Sequence, residues 1–208
     1  MYRSVFLSAC AALALASISH SAIADEPTID GPASITQSLT SWYDQNIPSA
    51  FRLTCPLLVH EMTEPALIDY INSGSGAHQS KTLTVSNTDD IDGVYDRNPP
   101  RIAVEIEQGG KIDDFTFAHE YGHYVWFELM SKADRKAYEA VYKQSKQDRH
   151  LVTDYAAVSV DEGFAEAFSF YVNLPQDLQH RDAGSYNFLA NWSPPGSRSN
   201  VRSGDHKS

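Results

Sequence analysis

The sequence predicts one domain of the α+β class, and three observations carry that reading. Short apolar runs of strand length, several of them β-branched, fall at residues 51–60, 81–86, 94–95 and 101–107. Longer stretches with helical periodicity lie between and after them, at 34–46, 63–71, 132–146 and 160–173, and around an apolar run at 115–126. No internal repeat is present, and the length suits one core rather than several.

In chain order, residues 25–34 are rich in Pro, Asp and Gly and read as a loose lead. The first helix, 34–46, sets Ile35, Leu39, Trp42 and Tyr43 on one side, and Pro48 stops it. In the strand at 51–60, Pro56 predicts an edge or a bulge. Thr63, Glu64 and Pro65 start the next helix, which ends before the Ser73–Gly76 stretch. Residues 81–86 alternate with Leu83 and Val85 on one face, and an acidic turn follows at 87–92. After the break at Asn98-Pro99-Pro100, residues 101–107 form the best strand of the chain. Gly109-Gly110 then turns into a helix whose start is favoured by Asp113 or Asp114. Ser131 caps a helix over 132–146, a connector spans 147–159, and a further helix spans 160–173 until Pro175 ends it. From about residue 183 the chain reads as a flexible tail.

The first 24 residues read as a signal peptide. Arg3 is a short positive start, residues 5–18 are uncharged and apolar, and Ala22-Ile23-Ala24 is a cleavage pattern. The apolar part is too short to span a membrane. Cleavage after Ala24 predicts an exported protein, secreted or periplasmic, of 184 residues out of 208. It removes Arg3 and no acid, taking the net charge from −11 to −12. Such an acidic chain is a poor partner for nucleic acid or an anionic membrane. Only Cys55 of the two cysteines survives, so no internal disulfide forms, and its Leu53 and Leu57 neighbours place it in the core.

Chemistry concentrates at His119-Glu120-Tyr121-Gly122-His123. On a helix, residues four apart sit about 40° apart around the axis, so both imidazoles can converge on one metal ion. Glu120 lies about 100° around from His119 and points beside the ion, where a water would be activated. Two histidines with a general base between them are the zinc-hydrolase pattern. The alternative, a solvated polar face, conflicts with Phe115, Phe117, Ala118, Tyr121, Tyr124, Val125, Trp126 and Phe127 around it. A zinc site still needs a third protein ligand.

The helix over 160–173 supplies one. On a wheel, Glu162, Glu166, Ser169 and Asn173 fall within about 60° of arc and nearly everything else is apolar. Glu162 is read as the third ligand, and Glu166 as the carboxylate that orients a ligating imidazole. The competing reading makes Ser159 and Glu162 a capping box. His150, a rival ligand, stands in a charged stretch and faces solvent. Tyr155 offers a phenol for an oxyanion, or is simply a half-buried tyrosine.

Thr153-Asp-Tyr155, then Asp161-Glu162-Gly-Phe-Ala-Glu166-Ala-Phe168, after His119-Glu-Tyr-Gly-His123, resembles the anthrax lethal-factor-like zinc peptidases of the gluzincin type, which include the Pro-Pro endopeptidases. The resemblance covers residues 101–170. It implies a zincin-like domain with a small mixed sheet, an active-site helix and a helical C-terminal part. It also implies one Zn2+ on His119, His123 and Glu162, catalysis by Glu120 and Tyr155, support from Glu166, and a peptide or protein substrate. The strand at 101–107 is expected to line the cleft and pair with extended substrate. Substrate specificity, Pro-Pro bonds included, does not follow from the resemblance. A metzincin would need Gly and His where Trp126 and Leu129 stand, and a Cys55 ligand lacks a supporting motif. The rival function is a zincin-like binding module without turnover.

Overall fold

The computed structural model describes residues 27–52, 57–72, 92–107 and 109–195. Among them the chain runs β1 (Thr28–Asp30), α1 (Ala33–Asn46), β2 (Leu58–Met62), α2 (Glu64–Asn72), β3 (Gly93–Arg97), β4 (Pro100–Glu105), α3 (Asp114–Tyr124), α4 (Lys132–Asp148), α5 (Val160–Asn173), α6 (Pro175–Arg181) and α7 (Ala183–Asn191). The class is α+β as expected: a small mixed sheet, a helix bearing the H-E-x-x-H motif, and a helical C-terminal part. The signal peptide at 1–24, Cys55, and the strand expected at 81–86 lie outside the described residues.

The sheet order is β1-β2-β4-β3. β1 and β2 are parallel, with Ile29 opposite Val59, and β2 and β4 are parallel, with Val59 opposite Ile102. β3 returns antiparallel, with Tyr95 opposite Ile102. An interior strand covered on both faces has to be apolar throughout, and Ile102, Ala103 and Val104 of β4 are fully buried. Four expectations change here. The loose lead contains β1, whose Thr28 N–H donates to Leu57 O at 3.0 Å; three residues are too few to show a period. Residues 49–51 form a 3-10 turn and the strand begins at Leu58, because Phe51 packs against Phe168, Tyr171 and Trp192 instead. β2 is interior, not an edge. β4 is paired on both sides, so among the described strands the edge on this side of the sheet belongs to β3.

α3 is the central element, lying between the sheet and α5. Phe117, Ala118, Tyr121, Tyr124 and Val125 are fully buried. Its start is capped by Asp113, whose side chain accepts from Thr116 N–H at 2.8 Å. Just ahead, Gly109 and Gly110 have φ of 108° and 72°, the left-handed geometry glycine adopts without penalty, and close a turn between Glu107 and Lys111. α3 continues into one π-helical turn, Val125–Leu129. α4 opens with a complete capping box between Ser131 and Asp134.

The tail expected from residue 183 is instead the helix α7. Asp182 caps it, accepting from Ser185 N–H at 3.1 Å and from the Ser145 hydroxyl at 2.7 Å, and Leu189 and Trp192 are buried. Pro175 ends α5 and also opens α6, since proline at a first helical position forfeits no hydrogen bond. Among the described residues no helix is long and apolar enough to cross a membrane.

Candidate metal centre

α3 and α5 run side by side in opposite directions, and the narrow polar stripe of α5 is laid along α3. Asn173 donates to Asp114 O at 3.3 Å, Ser169 to Phe115 O at 2.9 Å, and Glu166 and Glu162 meet the histidines. The stripe is therefore an interface, which explains both its narrowness and the apolar remainder of the helix. The helices approach closely where side chains are smallest: a Cβ on Gly122 would lie 2.9 Å from Ala165 Cα.

Glu162 Oε2 stands 3.1 Å from His119 Nε2 and 3.4 Å from His123 Nε2. One ligand atom from each of His119, His123 and Glu162 lies within 4.8 Å of the others. Ser159 accepts from the Glu162 N–H at 3.2 Å, so half of the anticipated capping box forms, but the Glu162 carboxylate turns to the imidazoles. Burial opposes its ionisation, yet the hydrogen bonds to both histidines hold it well below the usual carboxylate range.

Glu166 Oε1 lies 2.8 Å from His119 Nδ1, which turns Nε2 toward Glu162. Burial would lower the pKa of the His119 imidazolium, but hydrogen bonds to Glu162 and Glu166 outweigh it and raise the value to about 10. His123 is held differently. Its Nδ1 is buried without a hydrogen-bond partner, and the ring lies nearly parallel to those of Tyr95 and Phe127, at centroid distances of 6.5 and 6.3 Å, the three rings forming a triangle because Tyr95 and Phe127 are 6.2 Å apart. Phe127 sits on the π-helical turn, and Glu128 beside it accepts from the Tyr95 hydroxyl at 3.1 Å.

Glu120 is buried beside this cluster, on the side facing β3. Its carboxyl is pushed upward first by burial, against the pull of His119, His123 and the Tyr95 backbone N–H that donates to it. A Cβ on Gly93 would meet Glu120 Cγ and Thr116 Cγ2 at 2.9 Å, so β3 is seated directly on the candidate base. Tyr155, on a 3-10 turn ahead of α5, is 53% exposed and lies outside the core. Its ring centroid is 5.9 Å from that of His119 and its hydroxyl donates to Glu162. Partial burial, then the negative charges of Glu162, Glu120 and Glu166, push the phenol up to about 12, so it keeps its proton at neutral pH.

All six residues singled out in the sequence converge here. His150 is exposed and remote from this group, as expected of a surface residue. Three contributors were given no role from the sequence: Tyr95 and Phe127 at the His123 ring, and Thr153, which donates to Glu166 Oε2 at 2.6 Å. Phe127, four residues after His123, was the legible one.

No protein-family model matches the chain, and no curated protein matches it. Among solved structures, the Pro-Pro endopeptidase PPEP-2 from Paenibacillus alvei is similar over 79% of this chain and 96% of its own, with a TM-score of 0.49 and 16% identity.

Proposed function

We propose that this chain is an exported zinc-dependent endopeptidase, its leader removed after Ala24. The observation that carries the reading is one carboxylate oxygen, Glu162 Oε2, held against the Nε2 atoms of both histidines, with Glu120 in the same buried cluster. Two imidazole nitrogens and a carboxylate oxygen are a zinc-hydrolase donor set, and the pinned His119 tautomer suits it. A zinc ion there would supply Lewis acidity and a water acidified toward a pKa of about 7.

The chain's own residues do the rest. Glu120, buried and with a raised proton affinity, accepts the proton of the attacking water and delivers it to the leaving amine. Tyr155, protonated and exposed on the site's rim, donates to the oxygen that gains negative charge. Extended substrate adds to β3 rather than to β4. β3 is an edge among the described strands, and its Tyr95 N–H points at Glu120. The resemblance of residues 101–170 to lethal-factor-like peptidases supports the same reading.

A peptide library of proteome composition, incubated with the protein and read by mass spectrometry, tests it. Cleavage that a chelator abolishes and zinc restores is the expected result, and the cut sites supply the specificity. A folded, zinc-loaded protein that cleaves no member would replace the peptidase with a binding module.

A further inference from the structure

Thr153 uses its single hydroxyl twice. It donates to Glu166 Oε2 at 2.6 Å and accepts from the Ala156 N–H at 3.1 Å. The first bond fixes the carboxylate whose other oxygen meets His119 Nδ1 at 2.8 Å. The second closes the 3-10 turn Tyr155–Ala157, reinforced by Ala157 N–H to Asp154 O at 3.1 Å and Val158 N–H to Tyr155 O at 3.0 Å. Val152 and Ala156, on either side, are buried and anchor the turn, whereas Tyr155 between them is exposed. Apart from its hydroxyl's bond to Glu162, its place beside His119 depends on the backbone of its turn.

We propose that Thr153 is a positioning residue that locks the Tyr155 turn to the Glu166–His119 pair, so that the phenol and the metal-facing imidazole are set by one hydroxyl. The proposal rests on the metal-site reading above. Glu166 has two oxygens with two different tasks, one steering the imidazole and one tethering the turn. Valine has the shape of threonine but makes neither bond, leaving Glu166 Oε2 and the Ala156 N–H without those partners. Serine can make both.

Zinc affinity, measured by competition with a chromophoric chelator, and exchange of the Ala156 amide in the zinc-free protein test the two bonds separately. Thr153→Val should bind zinc 10–100-fold more weakly, as loss of support behind a ligating imidazole does. Its Ala156 amide should exchange about tenfold faster. Thr153→Ser should stay close to the parent in both. Parent-like affinity or parent-like exchange in Thr153→Val overturns the lock, and so does Thr153→Ser falling as far as Thr153→Val. If Thr153→Val does not fold, Thr153→Ala carries the same two readouts. A parent protein that takes up no zinc overturns the metal reading itself, a result distinct from either of these.

Discussion

At the scale of residues, the proposed function divides the site's labour between metal holding and chemistry, and substitutions should separate the two. Glu162→Ala removes the oxygen shared by both imidazoles and should abolish zinc retention by metal analysis of the purified protein. Glu120→Gln should keep its zinc and lose about 10²–10⁴-fold in turnover, the span of general acid–base catalysis. Retained activity in that variant would remove Glu120 from the mechanism. Tyr155→Phe should depress turnover by roughly 2–4 kcal/mol of transition-state stabilisation with little change in zinc content. The carboxylate–imidazole pairs also imprint a pH dependence on the zinc-free protein. His119 stands above its ordinary 6.5, so its contribution is complete below 6.5 and lost as pH rises toward about 10. Glu162 and Glu166 stand below their ordinary 4.5, so theirs are complete above 4.5 and lost as pH falls. The difference in Tm between parent and Glu166→Gln should therefore peak between 4.5 and 6.5. A difference that grows from pH 7 to 9 would contradict the assignment.

At the scale of elements, the candidate site depends on how close α3 and α5 lie. Gly122→Ala inserts a methyl 2.9 Å from Ala165 Cα, where the obstacle is backbone and cannot rotate away. α5 must shift, at about 1–3 kcal/mol of overpacking, and it carries Glu162 with it. Thermal melting and zinc affinity should both fall. Ser131→Ala is the matched control: it removes the α4 capping box, should cost ~1 kcal/mol, and should leave zinc affinity untouched. Helix starts were legible in the sequence because a cap is a local bargain between a side chain and its own backbone, as Asp113, Ser131 and Ser159 show. The π-helical turn at Val125–Leu129 was not, because the contacts of Phe127 and Glu128 with Tyr95 lie across the fold.

At the scale of the molecule, α3, α5 and the sheet share one core. Leu39, Tyr43, Phe51, Val59, Tyr95, Ile102, Phe117, Tyr121 and Phe168 belong to a single buried cluster. Zinc that binds only the folded chain should therefore stabilise that whole unit, by about 4 kcal/mol at a thousandfold excess over Kd. One calorimetric transition that a chelator moves to lower temperature is the expected trace. An unmoved transition would detach the metal from the fold.

By itself the sequence determined the candidate site: His119, Glu120, His123 and Glu162 were legible because helical spacing decides which side chains share a face, and spacing is a property of the chain alone. It determined most helices for the same reason. Tertiary structure alone decided what meets what. It settled whether Glu162 caps its own helix or turns to the imidazoles, which of the described strands keeps an edge, and that the C-terminal stretch folds as α7 once Asp182, Leu189 and Trp192 find partners. Those outcomes rest on contacts between residues far apart in the chain, and no local period records them.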